Sequence, residues 1–265
     1  KPLKNISKIK DLKILHNKRP KDLFSYLLKS WKGHRFDNIS AAVQYFTEET
    51  SKNLINNIYK KTKIKRYILS GGVSLNIKMN KTISELPCVK DFFVAGSGSD
   101  ESLSIGACYL ANKNYKKNKY LKNLYLGYDI DDDLNEKKIN ILSKKYRIYK
   151  KTNLKKIAEL LKKGEIIARI SNKSEFGARA LGNRSILASP YIDGVIEKIN
   201  RAIKNRDFWM PFALSILKEK QKYSIINKKK ISSPFMTIGF DVNAKNFKFL
   251  KNGCHQYDKT VRPQI

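Results

Sequence analysis

The sequence predicts an α/β fold, with mixed α+β character in its second part. Two strand–loop–helix units follow each other in the first half. The β-rich run 67–69 leads through Gly71 and Gly72 into SLNIKMNKTI, and the run 91–96 leads through SGSDES into an apolar helical stretch from residue 103 to 110. Strands that alternate with helices are typical of α/β layers. The length of 265 residues fits one large or two ordinary domains.

Hydrophobic spacing predicts further elements along the chain. An apolar face runs at three- and four-residue steps through residues 39–58, which predicts a long amphipathic helix whose face is ordinary core. Residues 154–161 predict a second helix, which ends at Gly164 and precedes a strand in EIIARI.

The sequence also predicts a later helix and a linker between two units. Residues 195–203 predict a helix capped by Asp193, with Asn200 and Lys204 off its apolar face. The polar stretch from about residue 112 to 133 predicts a linker between two units, although LYLGY within it is also compatible with a strand.

Basic residues greatly outnumber acidic ones: 55 Lys and Arg against 23 Asp and Glu give a formal net charge of +32. Such a surplus attracts nucleic acid, acidic lipid or phosphorylated small molecules. The lysines are scattered through every segment, so compositional drift is the simpler explanation of most of the surplus. We therefore expect no specific nucleic acid and no membrane as partners.

Cysteine usage and hydropathy both indicate a cytoplasmic protein. Cys88, Cys108 and Cys254 lie far apart and form no C-x-x-C pair, so neither a disulfide framework nor a zinc knuckle is predicted. No apolar run approaches the roughly 20 residues that span a bilayer. The sequence does not indicate an oligomeric state.

The run EFGARALGNRSILASP, residues 175–190, is the first candidate for chemistry. Gly177 and Gly182 stand near its arginines, and glycine lets a backbone approach a ligand closely. Half of the arginines fall in one short region of a chain that otherwise uses lysine: Arg169, Arg179, Arg184, Arg201 and Arg206. Guanidinium groups bind phosphate bidentately, which lysine cannot do. A surface loop whose arginines pair with carboxylates is the alternative.

Several motifs resemble, in order and spacing, the NodU/CmcH-type O-carbamoyltransferase family. In the second half they are EFGARALGNRSIL, INRAIKNRDFWMPFALSIL, SPFMT and DKTVRPQ, and upstream they are AAVQYFTEE, LSGGVSLNIKMN and GSDESLSIGA. The resemblance covers residues 39–264, and EFGARALGNRSIL is its most specific motif.

The resemblance implies a two-part enzyme. Residues 1–120 would be the C-terminal lobe of a carbamoyl-transfer domain with the actin and sugar-kinase ATPase fold, and residues 121–265 a truncated YrdC-like domain. Such enzymes form carbamoyl-adenylate from ATP and carbamoyl phosphate, then transfer the carbamoyl group to a hydroxyl of a small-molecule or saccharide acceptor. The motifs at both ends suggest an internal fragment of a longer enzyme.

The resemblance also implies site residues. Arg179, Lys204 and Arg262 match basic positions that hold phosphates and the adenylate, and we predict that they converge on one pocket. Neighbouring positions are second choices for cofactor contacts: Arg184, Ser185, Arg206 and His255. The turn that lies against the nucleotide in the first domain contributes Gly71, Gly72 and Asn76.

Asp100 matches an aspartate that helps the family bind a divalent metal ion, for which iron is one candidate. The family's H-x-x-x-H pair has no match, because the three histidines, His16, His34 and His255, are never four residues apart. The resemblance therefore places the missing ligands upstream of this chain.

Two other readings of the sequence stay open. A threonylcarbamoyl-AMP synthase-like or sugar-kinase-like ATPase would share the glycine turns but would lack EFGARALGNRSIL. A basic nucleic-acid-binding protein would bind with an affinity that falls steeply with salt and would cluster its charges.

Overall fold

The computed structural model describes residues 2–16, 20–112, 121, 123–129, 136–149, 152–207 and 209–265. The chain divides into two compact units, Lys1–Asp100 with Asn227–Phe240 and Glu101–Ile226 with Asp241–Ile265. Helices alternate with small sheets, which confirms the predicted α/β class. Much of the predicted linker, residues 113–120, 122 and 130–133, lies outside the described residues, and the boundary at 120/121 stays a prediction.

The first unit contains the first predicted strand–loop–helix unit and the strand of the second, whose helix belongs to the second unit. Its helices are α1 (Pro2–Ile6), α2 (Leu23–Trp31), α3 (Phe36–Thr62) and α4 (Ile77–Glu85), and its strands are β1 (Ser7–Lys10), β2 (Lys13–His16), β3 (Arg66–Leu69) and β4 (Asp91–Val94). β1 and β2 form an antiparallel hairpin, whereas β3 and β4 pair in parallel with Leu69 opposite Val94. Because β3 and β4 are parallel, the loops that follow them lie at the same edge.

α3 confirms the predicted long helix but not its predicted burial. Ile55 is its buried residue, Val43 is 39% exposed, and the other predicted face positions are half-buried. α3 packs against α4, α1 and β1, which are all shorter than its 27 residues. Elements of that length cover only part of the apolar stripe, so the spacing identified the helix correctly and overstated its core.

The late segment Asn227–Phe240 is held in the first unit mainly by side-chain-to-backbone hydrogen bonds. Lys229 Nζ donates to the carbonyl oxygens of Ser84, Leu86 and Val89 at 2.7, 2.5 and 2.8 Å. Asn80 Nδ2 donates to Thr237 O at 2.7 Å, and the rings of Phe93 and Phe235 meet edge-on at 6.1 Å. SPFMT therefore packs where β4 lies, a role that the sequence did not indicate.

The second unit is built from short elements. Its helices are α5 (Leu103–Ala111), α6 (Glu136–Ser143), α7 (Leu154–Lys162), α8 (Val195–Ile199), α9 (Gln221–Ser224) and α10 (Phe247–Leu250). Its strands are the antiparallel pair β5 (Ile167–Ile170) and β6 (Arg184–Leu187), with β7 (Ile225–Ile226), β8 (Phe240–Val242) and β9 (Thr260–Val261) in a three-stranded sheet. α7 begins at the cap Asn153 and ends before Gly164 at φ 90°, as predicted.

The helix predicted over residues 195–203 differs in its cap and its polar face. Gly194, at φ 75°, occupies the cap position, and the carboxylate of Asp193 pairs instead with Lys251 Nζ. α8 continues as a π-helical turn, Asn200–Lys204, in which Asn200 is buried and Lys204 is exposed. The chain changes to π-helical geometry at Asn200, where the period of 3.6 residues behind the prediction no longer applies.

LYLGY, residues 124–128, forms no strand, which corrects that interpretation. Its backbone is nevertheless paired: Phe176 N donates to Leu124 O at 2.7 Å, and Gly127 N donates to Ser174 O at 3.0 Å. LYLGY therefore supports the start of the EFGARALG run.

None of the helices in the described ranges has both the length and the apolar character needed to cross a membrane. All three cysteines are free thiols. Burial raises the pKa of the Cys254 thiol to about 11, so this thiol is protonated at neutral pH.

Candidate functional site

The loop between β5 and β6 is organised by the carboxylate of Glu175. Its Oε1 accepts hydrogen bonds from the backbone N–H groups of Leu181, Asn183 and Arg184 at 2.7, 2.7 and 3.1 Å. Gly177 and Gly182 have φ values of 99° and 115°, a region that strongly favours glycine. These constraints close the loop around one acidic side chain and present Arg179 between the two glycines.

We expect Glu175→Gln to loosen this loop in a pH-dependent way. Burial acts to raise the pKa of Glu175, but the N–H groups that donate to it outweigh burial, and the net pKa is lowered. The charged form therefore stabilises the fold above the ordinary pKa of 4.5, and this stabilisation is lost as the pH falls through the folded-state value. In urea unfolding at pH 7, the free energy of unfolding of the variant should be about 1 kcal/mol lower than that of the wild type. The difference from wild type should shrink toward pH 3.

The matched control is Glu165→Gln, which changes an exposed carboxylate of the same unit. It should leave the free energy of unfolding within about 0.5 kcal/mol of the wild type at pH 7. Equal losses in the two variants would contradict the role assigned to Glu175.

Arg262 lies on an extended segment that approaches the Glu175 loop. Gln264 N donates to Leu214 O at 2.8 Å, and Ile216 N donates to Gln264 O at 2.9 Å. Val261 and Pro263 are buried, whereas Arg262 and Gln264 are half-buried on the alternate face. Gln264 Nε2 donates to Leu181 O at 3.0 Å, so this face meets the loop that carries Arg179.

Three arginines of the second unit come together at this meeting point. Burial, followed by the charges of Arg179 and Arg206, lowers the pKa of Arg262 to about 10. Burial also lowers the pKa of Arg179. Within the described part of the chain, the Nε atoms of Arg179 and Arg262 are buried without a hydrogen-bond partner. Buried N–H groups are nearly always satisfied, so this arginine cluster (Arg179, Arg206 and Arg262) is suited to an anion.

Arg206 is the member of the cluster that the resemblance gives only as a second choice for cofactor contacts. Its guanidinium lies over the ring of Phe212, 5.4 Å from the ring centroid, which orients it by a cation–π contact. Lys204 is exposed at the end of the π-helical turn, where Asn205 takes φ 45°. The structure brings Arg179 and Arg262 together and adds Arg206, while the place of Lys204 in the pocket stays a prediction.

Arg184 and Ser185 brace the loop. The Arg184 guanidinium donates to the carbonyl oxygens of Ser171, Asn172 and Asn183 at 2.8, 3.0 and 3.0 Å. Ser185 Oγ accepts from Gly182 N at 3.0 Å. Their predicted contacts to a cofactor stay untested, but their described hydrogen bonds fix the backbone on which Arg179 stands.

His255 lies in the turn that leads into Arg262. Its backbone N–H donates to Thr260 O at 2.8 Å. Its imidazole Nδ1 lies 3.3 Å from Asp258 Oδ1, and the two form an ion pair only when the imidazole is protonated. This contact does not have the geometry of a hydrogen bond. Asp258 Oδ1 also accepts from Thr260 N and Oγ1 at 3.0 and 2.7 Å. The predicted cofactor contact of His255 stays a prediction.

The first unit holds the predicted glycine turn at the carboxyl ends of β3 and β4. Gly71 has φ 97°, and Gly72 begins a 3₁₀ turn. A Cβ at Gly98, in the loop after β4, would lie 2.3 Å from Ser74 Oγ, so the two loops touch. Asn76 caps α4 by accepting from Met79 N at 3.0 Å, and its amide pairs reciprocally with Gln44. The turn is therefore rigid, and its contact with a nucleotide stays a prediction.

Asp100 is exposed and begins a 3₁₀ turn, Asp100–Ser102. No group of three or more His, Cys, Asp or Glu suited to a metal ion occurs among the residues that the structure describes. The described residues therefore offer Asp100 no further ligand set, and its role as a metal ligand stays a prediction.

Sequence reasoning missed two residues that hold the second unit's site in place. The motif EFGARALGNRSIL contains Glu175 but does not indicate its structural role. The available signal is its position, because a carboxylate just before a glycine-containing loop can accept hydrogen bonds from backbone N–H groups. Gln264 gave no local signal, because its partner Leu181 is 83 residues away.

Two family models cover most of the chain. The carbamoyltransferase N-terminus matches residues 3–109, and the carbamoyltransferase C-terminus matches residues 158–265. The predicted boundary at 120/121 lies between the two matches.

Curated relatives agree with these matches. An uncharacterized protein of Methanocaldococcus jannaschii is 32% identical over 96% of this chain and 42% of its own length. The nodulation protein NolNO of Sinorhizobium fredii is 28% identical over 86% of this chain and 34% of its own. The 3'-hydroxymethylcephem-O-carbamoyltransferase of Streptomyces clavuligerus is 25% identical over 55% of this chain and 27% of its own. The chain thus spans less than half the length of these relatives.

The two family matches, the curated relatives and the order of the motifs agree with one another, and this chain belongs to the carbamoyltransferase family.

Proposed function

We propose that this chain is part of an O-carbamoyltransferase that activates carbamoyl phosphate with ATP as carbamoyl-adenylate and transfers the carbamoyl group to a hydroxyl. The observation that carries the proposal is the arginine cluster. Among the described residues, the buried Nε atoms of Arg179 and Arg262 have no hydrogen-bond partner, and burial, followed by the charges of Arg179 and Arg206, lowers the pKa of Arg262. Such a cluster is complementary to a multiply charged anion, which phosphate-bearing substrates supply.

The activation step explains why several cations are needed. Water first cleaves carbamoyl phosphate into carbamate and inorganic phosphate. A carbamate oxygen then attacks the α-phosphorus of ATP, the bond from that phosphorus to the oxygen shared with the β-phosphate breaks, and pyrophosphate leaves. Negative charge increases around the phosphorus and on the leaving oxygen. Fixed cations stabilise that charge without reorganising, and we assign this role to Arg179 and Arg262, with Arg206 and the predicted Lys204 beside them.

The acceptor and the remaining partners follow from the family. The name of the cephem relative describes O-carbamoyl transfer to a hydroxymethyl group, and from this we propose a small-molecule or saccharide acceptor with a free hydroxyl. Gly71, Gly72 and Asn76 would lie against a nucleotide in the first domain, and Asp100 would contribute to a divalent metal site there. A cytoplasmic location, with carbamoyl phosphate and ATP as co-substrates, fits this chemistry.

Arg179→Lys tests the proposal, because it keeps the charge and removes the bidentate fork. Carbamate-dependent exchange of pyrophosphate into ATP should slow by about five-fold or more, which corresponds to at least about 1 kcal/mol. Pyrophosphate should also bind more weakly in calorimetry.

Arg147→Lys is the matched control, since Arg147 is exposed and lies outside both family matches. It should leave exchange and binding unchanged. Equal exchange in the wild type and Arg179→Lys would contradict the proposal. DNA binding at physiological salt that persists at a salt concentration at which ATP no longer binds would favour the nucleic-acid alternative.

A further inference from the structure

The backbone carbonyl of Leu181 receives hydrogen bonds from two side chains of different segments. Gln264 Nε2 donates to it at 3.0 Å, and Tyr125 Oη donates at 2.9 Å. Leu181 is buried, with 4% of its surface exposed. It stands two residues after Arg179, and Gln264 stands two residues after Arg262. The hydrogen bond from Gln264 therefore ties together the two segments that carry these arginines.

This hydrogen bond has to act against the electrostatic repulsion between Arg179 and Arg262. Arg179 and Arg262 carry the same charge, and the charge of Arg179 is one cause of the lowered pKa of Arg262. In the absence of an anion, the two segments are therefore pushed apart. An amide is suited to this place because it donates a hydrogen bond without adding charge. A carboxylate here would neutralise the cluster, and an ammonium group would increase the repulsion.

Alternation along the extended segment gives Gln264 and Arg262 the same face. Val261 and Pro263 are buried on the other face, and the backbone of Gln264 is anchored to Leu214 and Ile216. The side chain of Gln264 thus stands on a fixed backbone, and its reach to Leu181 sets how closely the Arg262 segment approaches the loop.

We propose that Gln264 is a positioning residue that holds the segment of Arg262 against the loop of Arg179, at the separation that a phosphate-bearing ligand bridges. This inference rests on the proposed function, since it presupposes that the arginine cluster binds an anion. Gln264 acts through Leu181 and needs no contact with the ligand.

The test compares two variants that each remove one hydrogen bond to the same carbonyl. Gln264→Leu cuts the tie to the Arg262 segment, and Tyr125→Phe removes the other donor, which comes from a segment without a cluster arginine. Calorimetry with pyrophosphate measures affinity, and thermal unfolding without ligand measures stability. Both variants should melt a few degrees lower, because each loses one hydrogen bond. Only Gln264→Leu should weaken pyrophosphate binding, by about five-fold or more.

Hydrogen exchange adds a measurement that a purely structural role would not change. Pyrophosphate should slow the exchange of the Leu181 and Asn183 amides in the wild type and in Tyr125→Phe, because the bound anion closes the loop. In Gln264→Leu this ligand-dependent protection should be lost. Gln264→Glu is the second variant: it keeps the side-chain shape but replaces the donor with an acceptor, and it should weaken pyrophosphate binding at least as much.

The outcomes separate this inference from the proposed function. If the wild type does not bind pyrophosphate, both are wrong. If the wild type binds it and both Gln264 variants bind it equally well, only the role of Gln264 is wrong. If Tyr125→Phe weakens binding as much as Gln264→Leu, the Leu181 carbonyl rather than the tie to Arg262 is what matters, and the inference is again overturned.

Discussion

Arg262→Met should make the ligand-free chain more stable and abolish its tight binding of pyrophosphate. The Arg262 guanidinium is buried beside two like charges, and its Nε has no partner in the described residues. Burial, followed by the charges of Arg179 and Arg206, lowers its pKa to about 10, which means that folding disfavours the charged form. Methionine keeps a long apolar stem without that charge, so stability should rise by roughly 1–2 kcal/mol, or by several degrees in melting temperature.

The same substitution removes a cation that the ligand needs. Loss of a charge-assisted hydrogen bond should weaken pyrophosphate binding by about ten- to a hundred-fold. Pyrophosphate should then add little to the melting temperature of the variant, whereas it should raise that of the wild type. A stabilising substitution that removes binding is the expected behaviour of a strained functional site.

The pH dependence of the stability gain has a definite sign. Between the folded-state pKa of about 10 and the higher pKa of the unfolded chain, the unfolded chain keeps the proton of Arg262 and the folded wild type loses it. Wild-type stability therefore rises with pH in this window relative to the variant, and the advantage of Arg262→Met should shrink as the pH passes 10. Comparing the two proteins cancels the titration of the lysines that they share.

Arg147→Met is the control for Arg262→Met, because Arg147 is exposed. It should alter neither pyrophosphate affinity nor stability beyond about 0.5 kcal/mol. A lower melting temperature for Arg262→Met, together with unchanged pyrophosphate affinity, would show that Arg262 is an ordinary structural arginine.

Lys229→Met should destabilise the first unit by about 2–4 kcal/mol, the largest loss that we expect from a single substitution outside the arginine cluster. Lys229 Nζ donates to three carbonyl oxygens, of which Ser84 lies in the last turn of α4 and Leu86 and Val89 follow that helix. Helix ends leave carbonyls without intrahelical partners, and here one ammonium group satisfies them. Methionine retains the packing of the side-chain stem and removes the charged donor from all three carbonyls, of which that of Leu86 still accepts from Val89 N at 3.0 Å.

The neighbouring Lys228 provides a matched control, since it carries the same charge and is exposed. Urea unfolding followed by tryptophan fluorescence should give a large loss for Lys229→Met and little change for Lys228→Met. Limited proteolysis should then cut the 227–240 segment faster in Lys229→Met only. Similar unfolding midpoints for the two variants would mean that the three hydrogen bonds contribute little to holding this segment.

Local patterns in the sequence were enough to identify the longest helix and several of the other helices and strands. The apolar spacing of residues 39–58 lies within α3, the glycine at 164 follows α7, and the β-rich runs at 67–69 and 91–94 lie in β3 and β4. These features depend on neighbours within a few residues, so periodicity and capping chemistry describe them well. The family followed from motifs in the same way, because a motif is a local string of residues.

Burial, and which side chains meet, depended on the tertiary structure. The π-helical turn buried Asn200, which regular helical spacing had placed on the polar side, and Asp193 paired with Lys251 instead of capping a helix. Of the basic residues proposed for one pocket, the structure brings Arg179 and Arg262 together and adds Arg206.

The sequence by itself therefore determined the α/β class, the family and the residue types of the proposed anion site. Only the tertiary structure decided that Lys229 fastens a late segment to the first unit and that Gln264 reaches Leu181. The physical reason is chain separation: the partners of Lys229 lie 140 to 145 residues away, and that of Gln264 lies 83 away. A hydrogen bond across such a distance leaves no period, cap or turn signature, because it forms only after the elements between its partners have packed.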